Sequence, residues 1–370
     1  MSASSASAVD QVSTSAYRIP TDAPEGDGTF AWDLTTLVLA QVQADGVVGT
    51  GWTYGSATCA GLIDEVLTPV IRGRDPMDVP GTFQGMVDAL RNVGRPGVGG
   101  MALSAVDCAL WDLKARLLEL PLSKLLGQVH DRVPVYGSGG FTTYDEEQLT
   151  AQLKGWVADQ GLTRVKIKIG ESRGTREERD LSRIHEARDV IGPEVELFVD
   201  ANGAYTVGQA VRMADRMRPA DVRWFEEPVS SDDLDGLASV RAHTSADVAA
   251  GEYGFDLVYF GRMCAARAVD CLQVDVSRCG GITELLRVAA VAAVHGLQVS
   301  GHCAPNLHVD VLASVPNLRH LEWFHDHVRI ESMLFDGARR PARGEVSPNL
   351  NAPGNGLKWR AEEAERWVIK

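Results

Sequence analysis

The chain has no apolar run long enough to cross a bilayer, no dense block of Lys and Arg, and no CxxC pair. The first absence excludes a helical membrane span. The second, together with a formal charge of -14, speaks against nucleic acid or an anionic membrane as partner, because both require a concentrated cationic face. The third argues against structural zinc and dithiol redox chemistry. Cys59, Cys108, Cys264, Cys271, Cys279 and Cys303 are scattered through apolar or Gly-rich surroundings and read as reduced core thiols. The Ser/Ala-rich start lacks the basic residues and apolar stretch of a signal peptide, so a cytoplasmic location is expected.

The remainder is ordinary globular material, 45% apolar and 23% charged, unlike a disordered or fibrous chain. At 370 residues it exceeds what one core usually organises, so two domains, or a barrel with an added lobe, are expected. Residues 1–16 read as a disordered tail. Beyond it, the strand-like stretches TTLVLAQVQA and VVGTGWTYG join through Asp45-Gly46, a two-residue hairpin signal. In SAVDCALWDLKARLLEL, Ser104 can cap a helix whose Val106, Ala109, Leu110, Leu113 and Leu117 share one face. These elements predict an α+β lobe over residues 17–130. GRPGVGG near Gly97 reads as a turn, not a phosphate loop, since no clear strand and helix flank it.

After Val133 short apolar runs alternate with helix-length spacers: VPVYGSGG, RVKIKIG, VELFVDAN, VRWFEEP, DVAAGEY, CLQVDVSRCGG, LQVSGHC and RHLEWFH. Each parallel crossover needs a helix to return the chain, so eight such runs predict a closed α/β barrel over residues 131–338. The Pro/Gly/Asn-rich segment 339–370 is expected to run back over the first lobe.

Polar residues unusual for a barrel core end these runs: Lys166, Lys168, Asp200, Glu226, Glu252, Asp275, His302 and Glu322. Strand ends of a closed barrel converge on one mouth, so residues far apart in sequence would meet there. Any one of the acids is most simply a solvated loop residue. Asp200, Glu226 and Glu252 in three successive units are harder to dismiss, and three hard oxygen ligands suit one octahedral Mg2+ better than zinc. Glu227 is the weaker ligand, because a strand turns its neighbour to the opposite face.

Lys166 and Lys168 alternate on a strand and share a face; the competing reading is two solvated lysines on an edge strand. Inside a barrel, like charge and a nearby cation would favour the neutral amine in one of them, a general base near neutral pH. Asp275 and His302 end adjacent runs, and a carboxylate fixes an imidazole's tautomer and raises its basicity. Glu322, if protonated, would donate a hydrogen bond to a substrate carboxylate. Ser138, Asn202, Trp52 and Tyr54 are the substrate-contact candidates. His295, His308, His325 and His327 have no comparable partner and read as surface or supporting groups.

VKIKIG, FVDANGAY, WFEEP, AGEY, DVSRCGGIT, SGHC and LEWF, with ALWDLKARLLELPLSKLLG, resemble the enolase superfamily and within it the mandelate racemase subgroup, from about Tyr17 onward. The resemblance implies a modified TIM barrel, (β/α)7β, with an N-terminal α+β capping domain, and Mg2+-dependent chemistry through an enolate. Carried over by motif, Asp200, Glu226 and Glu252 would bind the metal, Lys168 would be the acid/base on one face, and Lys166 would lie close to the metal-bound carboxylate. His302 with Asp275 would serve the other face, and Glu322 would be the electrophilic donor. The muconate-lactonising branch fits less well, because its second lysine is replaced here by Asp275 and Arg278. The expected reaction is dehydration of an acid sugar, an aldonate or aldarate, to a 2-keto-3-deoxy acid. A 2-hydroxyacid racemase or epimerase, a non-catalytic binding protein and a Schiff-base aldolase are the alternatives. A homo-oligomer, dimer to octamer, is also implied.

Overall fold

The computed structural model describes residues 8–370. The expected tail over residues 1–16 thus lies partly outside the described residues, and from Gln11 onward it is not a tail but strand. Strands β1 (Gln11–Gly26), β2 (Ala31–Ala44) and β3 (Val47–Tyr54) form an antiparallel meander. Asp45 and Gly46 make the β2–β3 turn with φ of 50° and 74°, the left-handed pair that a tight hairpin needs, and Ala44 faces Val47 across it. Between Pro20 and Glu25 the β1–β2 register slips, so residues 21–24 bulge out of the ladder toward the barrel mouth.

The helix on this sheet runs over Val98–Leu117, seven residues earlier than a Ser104 cap implies. Ser104 sits inside it, its hydroxyl donating to the Gly100 carbonyl and accepting from the Gly280 N–H, so it ties lobe to barrel instead of starting the helix. Gly97, at φ 76°, precedes the first turn. The helix lies directly on β3 because that strand carries Gly49 and Gly51. A Cβ on Gly51 would meet the Ala105 carbonyl oxygen at 2.2 Å, and one on Gly49 the Ala109 oxygen at 2.2 Å. Val38, Ala40, Val42, Ala102, Val106 and Leu110 are among the residues buried between the two layers.

Eight parallel strands follow: β4 (Val133–Gly139), β5 (Arg164–Lys168), β6 (Glu196–Asp200), β7 (Val222–Glu226), β8 (Asp247–Ala250), β9 (Cys271–Val274), β10 (Gln298–Gly301) and β11 (Leu318–Phe324). They pair in chain order, and β11 pairs with β4 to close the barrel. Val165, Ile167 and Leu197 face the surrounding helices in the main core. Inside the barrel Tyr136, Phe198 and Trp224 form a dry aromatic floor with His320, whose ring contacts all three.

The eighth strand leads not to another returning helix but to His325–Leu334, which turns toward the capping lobe. There Glu331 accepts hydrogen bonds from Trp52 Nε1 and Tyr54 Oη, each at 3.2 Å, so the barrel is (β/α)7β with its last helix given to the domain interface. Residues 339–370 touch both parts: Glu345 and Val346 pair with β4 of the barrel, and later residues reach the lobe. Asn355 N–H donates to Asp112 of the long helix at 2.7 Å, and Ala16 exchanges backbone hydrogen bonds with Ile369 and Lys370. All six cysteines are free and buried. No helix among the described residues is long and apolar enough to cross a membrane.

Gly51→Ala forces a methyl against helix backbone, where no side chain can move aside. We expect a loss of about 1–3 kcal/mol, read as a lower urea midpoint. An unchanged midpoint would mean that the helix does not seat this closely.

Candidate active site

Register alone assembles the first part of the site. Lys168 of β5 pairs with Asp200 of β6, and Asp200 with Glu226 of β7, so three charged residues share one row at the carboxyl ends of adjacent strands. Glu252 follows the end of β8 and completes a group with Asp200 and Glu226 whose ligand oxygens all lie within 4.8 Å of one another. All three acids are buried.

These carboxylates are paired with the two lysines. Lys166 Nζ donates to Glu226 at 2.5 Å and lies 2.8 Å from Glu322; Lys168 is ion-paired to Asp200. Trp224 Nε1, rising from the aromatic floor, donates to the second Glu226 oxygen at 2.8 Å. Burial, and then Asp200, push the Glu226 carboxyl up to about 8, even against the pull of Lys166. Burial, the largest influence, would lower the Lys168 ammonium, but the charges of Asp200, Glu322 and Glu252 together prevail over it and over the repulsion of Lys166, and hold it above the ordinary lysine value. The expected neutral amine is therefore not what this arrangement favours, because each lysine has its own buried acid.

His302, just past β10, has its ring fixed by Asp275, with Nδ1 2.8 Å from the Asp275 carboxylate. Burial opposes the Asp275 charge, yet the bond to His302 and the neighbouring Arg278 prevail and draw it down to about 2. His302 Nε2 lies 3.3 Å from Glu252 Oε2 and 3.6 Å from Glu322 Oε2.

The donor set fits a hard divalent cation. Asp200, Glu226, Glu227, Glu252, Asp275 and Glu322 are all buried here, against the basic side chains of Lys166, Lys168 and Arg278. Glu252 Oε2, one of the oxygens on this cluster, is buried and makes no hydrogen bond. The His302 ring 3.3 Å away offsets the charge on that oxygen only in part, and a cation shared with Asp200 and Glu226 would complete the compensation. Glu227, at φ 38° and with its own unpartnered oxygen, stands outside the ligand group.

Lys168, Glu252, Arg278 and His302 line one cavity of about 390 Å³, roofed by Trp32, Thr35, Thr36 and Tyr54 of the capping lobe. Asn202 also lines it, at φ 47° and with a buried Oδ1 that lacks a partner. Asn202 and Tyr253 are shared with an adjoining cavity of about 880 Å³.

Other expectations need correction. Trp52 does not reach the cavity; it is fully buried between β3 and the last barrel helix, bonded to Glu331 and packed on Phe335. Ser138 is buried and donates to Glu322 at 2.6 Å, a support for that acid and not an open contact. Glu322 accepts from Ser138 and from the Cys303 N–H and meets Lys166. Although burial opposes its charge, Lys166 and His302 keep it ionised, so it is arranged as an acceptor and not as the expected donor.

Of the two alternatives for His308 and His327, surface or supporting, the structure shows the second. His308 accepts the Val276 N–H; His327 accepts the Ala304 N–H and stacks on Tyr54 at the cavity wall. Sequence patterns assign no site role to Cys303 or to the roof residues Trp32, Thr35 and Thr36, and Arg278 stands out only where the muconate-lactonising branch has a lysine. Arg278 had a signal in its i, i+3 spacing from Asp275; the roof residues had none.

Two family models match. Residues 28–127 fit the mandelate racemase / muconate lactonizing enzyme N-terminal domain, and residues 148–364 the enolase C-terminal domain-like model. A mandelate racemase/muconate lactonizing enzyme-like protein from Rubrobacter xylanophilus superposes with a TM-score of 0.94 at 46% identity, over 98% of this chain and 100% of that one. The L-talarate/galactarate dehydratase of Salmonella typhimurium LT2, solved with Mg and L-lyxarohydroxamate, gives 0.91 at 27% identity, over 100% and 95%. The 3,6-anhydro-alpha-L-galactonate cycloisomerase of Streptomyces coelicolor is 34% identical over 91% of this chain and 96% of its own. Fold, domain order and extent agree throughout: the chain belongs to the mandelate racemase / muconate lactonizing enzyme family of the enolase superfamily.

Proposed function

We propose that the protein abstracts the proton α to a substrate carboxylate, with Mg2+ held by Asp200, Glu226 and Glu252, and that it dehydrates an acid sugar, an aldonate or aldarate, to a 2-keto-3-deoxy acid. One observation carries this reading: Lys168 and the Asp275-fixed His302 line a single cavity beside three buried carboxylates. The Salmonella relative is named a dehydratase of talarate and galactarate and was solved with Mg, which supports the same substrate class and cation.

The α-proton of a carboxylate is very weakly acidic, so its removal needs stabilisation of the charge that develops. When bound, the cation supplies Lewis-acid stabilisation to the substrate carboxylate. Lys168 takes the proton. Asp200 is what now holds its ammonium, and an Asp200 shared with a divalent cation supports that ammonium less, which lets the amine act as a base. Lys166 stays charged between Glu226 and Glu322 and meets the developing negative charge. Glu322, ionised, anchors Lys166. His302 Nε2 then delivers a proton to the departing 3-hydroxyl, its ring orientation set by Asp275. The aromatic floor and the capping roof exclude bulk water, which strengthens each of these interactions.

A second reading uses the same groups. With no leaving group at C3, protonation by His302 on the carbon that Lys168 deprotonated inverts the centre, giving a racemase or epimerase.

Incubation with a panel of acid sugars should yield a semicarbazide-reactive keto product from at least one. Optical change without a keto product would reject dehydration in favour of racemisation. Lys168→Ala and His302→Asn should each lower turnover at least about 10²-fold. Lys168→Ala should also abolish α-proton exchange in deuterated water while Mg2+ still binds; unchanged exchange would rule out its role. Treatment with EDTA should remove activity and added Mg2+ restore it, whereas insensitivity to EDTA with borohydride trapping of substrate would point to Schiff-base chemistry.

A further inference from the structure

We propose that His302, Cys303 and Glu322 form a second metal site, selective for a thiophilic divalent cation such as Zn2+, whose occupancy stops proton transfer. His302 Nε2 lies 3.3 Å from Cys303 Sγ, Cys303 Sγ 3.5 Å from Glu322 Oε2, and Glu322 Oε2 3.6 Å from His302 Nε2. Tetrahedral zinc with ordinary Zn–S, Zn–N and Zn–O bonds separates such ligand atoms by about 3.4–3.6 Å. The three atoms thus form one face of a zinc tetrahedron with little rearrangement. His302 and Cys303 both line the active-site cavity, so an ion has a route in and the fourth corner faces open space.

Cys303 differs from the other thiols in what it faces. Cys59, Cys108, Cys271 and Cys279 turn their Sγ toward backbone carbonyls. Cys303 and Ala304 both adopt left-handed backbone, with φ of 50° and 36°, and Cys303 Sγ lies beside the imidazole and the acid instead. A sulfur, nitrogen and oxygen set also sorts metals differently from the all-oxygen group of Asp200, Glu226 and Glu252. The former suits zinc, the latter magnesium. Binding releases to solvent the Cys303 thiol proton and the His302 Nε2 proton, since the thiolate and the Nε2 lone pair are the ligands. The inhibitory consequence rests on the proposed acid/base role of His302; the metal site itself does not.

The test uses the full chain with Mg2+ saturating, and Zn2+ and Cd2+ as probes. X-ray absorption of the zinc-loaded protein should show one sulfur at about 2.3 Å among nitrogen and oxygen ligands. Cd2+ should produce a near-ultraviolet thiolate absorption that disappears in Cys303→Ser and persists in Cys279→Ser. Zinc affinity should fall at least about 10-fold in Cys303→Ser. An all-nitrogen/oxygen zinc shell, a cadmium signal that survives Cys303→Ser, or zinc displaced by raising Mg2+ would overturn the proposal. Sulfur-ligated zinc with undiminished keto-acid formation would overturn the inhibitory half of the proposal and the acid role of His302, while leaving the metal site itself standing.

Discussion

The structure depends on keeping six carboxylates and two lysines dry at the mouth of a closed barrel. In water each charge would be cheap and chemically inert; buried, each must find a partner or shift its protonation. The strand register meets that demand by setting Lys168, Asp200 and Glu226 in one row and by feeding Lys166 between Glu226 and Glu322. Negative charge remains in excess, and the unbonded Glu252 oxygen marks where. The same excess that makes the barrel mouth costly on its own makes it receptive to a divalent cation.

Dryness is supplied from two directions. Below, Tyr136, Phe198, Trp224 and His320 fill the barrel, and Trp224 adds a hydrogen bond to Glu226. Above, the capping lobe lays Trp32, Thr35, Thr36 and Tyr54 over the cavity. That roof is tied to the barrel by Thr35 on Asp326, and the lobe that carries it by Trp52 on Glu331, Thr283 on Asp107, and Ser104 with Gly280. The glycines of β3 therefore bear on function at a distance, by letting the long helix sit close enough to carry those contacts.

Much of this can be read in the sequence, for a physical reason. Eight short apolar runs separated by helix-length spacers suit a closed parallel barrel, and polar residues at their carboxyl ends then converge on one mouth. The Asp45-Gly46 turn and the eight strands follow from such local rules. What was misread turned on long-range contacts. Ser104 looks like a cap but is a bridge to Gly280; Trp52 looks like a binding aromatic but is claimed by Glu331, some 280 residues later. Glu322 reads as a donor in isolation and becomes an acceptor once Lys166, Ser138 and the Cys303 N–H surround it. Pairing across 180 residues leaves no mark in a local pattern.

The proposed chemistry requires one divalent ion among Asp200, Glu226 and Glu252, with Lys168 and His302 opening on the same cavity. Anomalous diffraction from crystals soaked in Mn2+, a spectroscopically visible stand-in for Mg2+, addresses this directly. The account predicts a single strong peak bonded to one oxygen of each acid at on the order of 2.1 Å. A peak elsewhere, or none at saturating Mn2+, would contradict it.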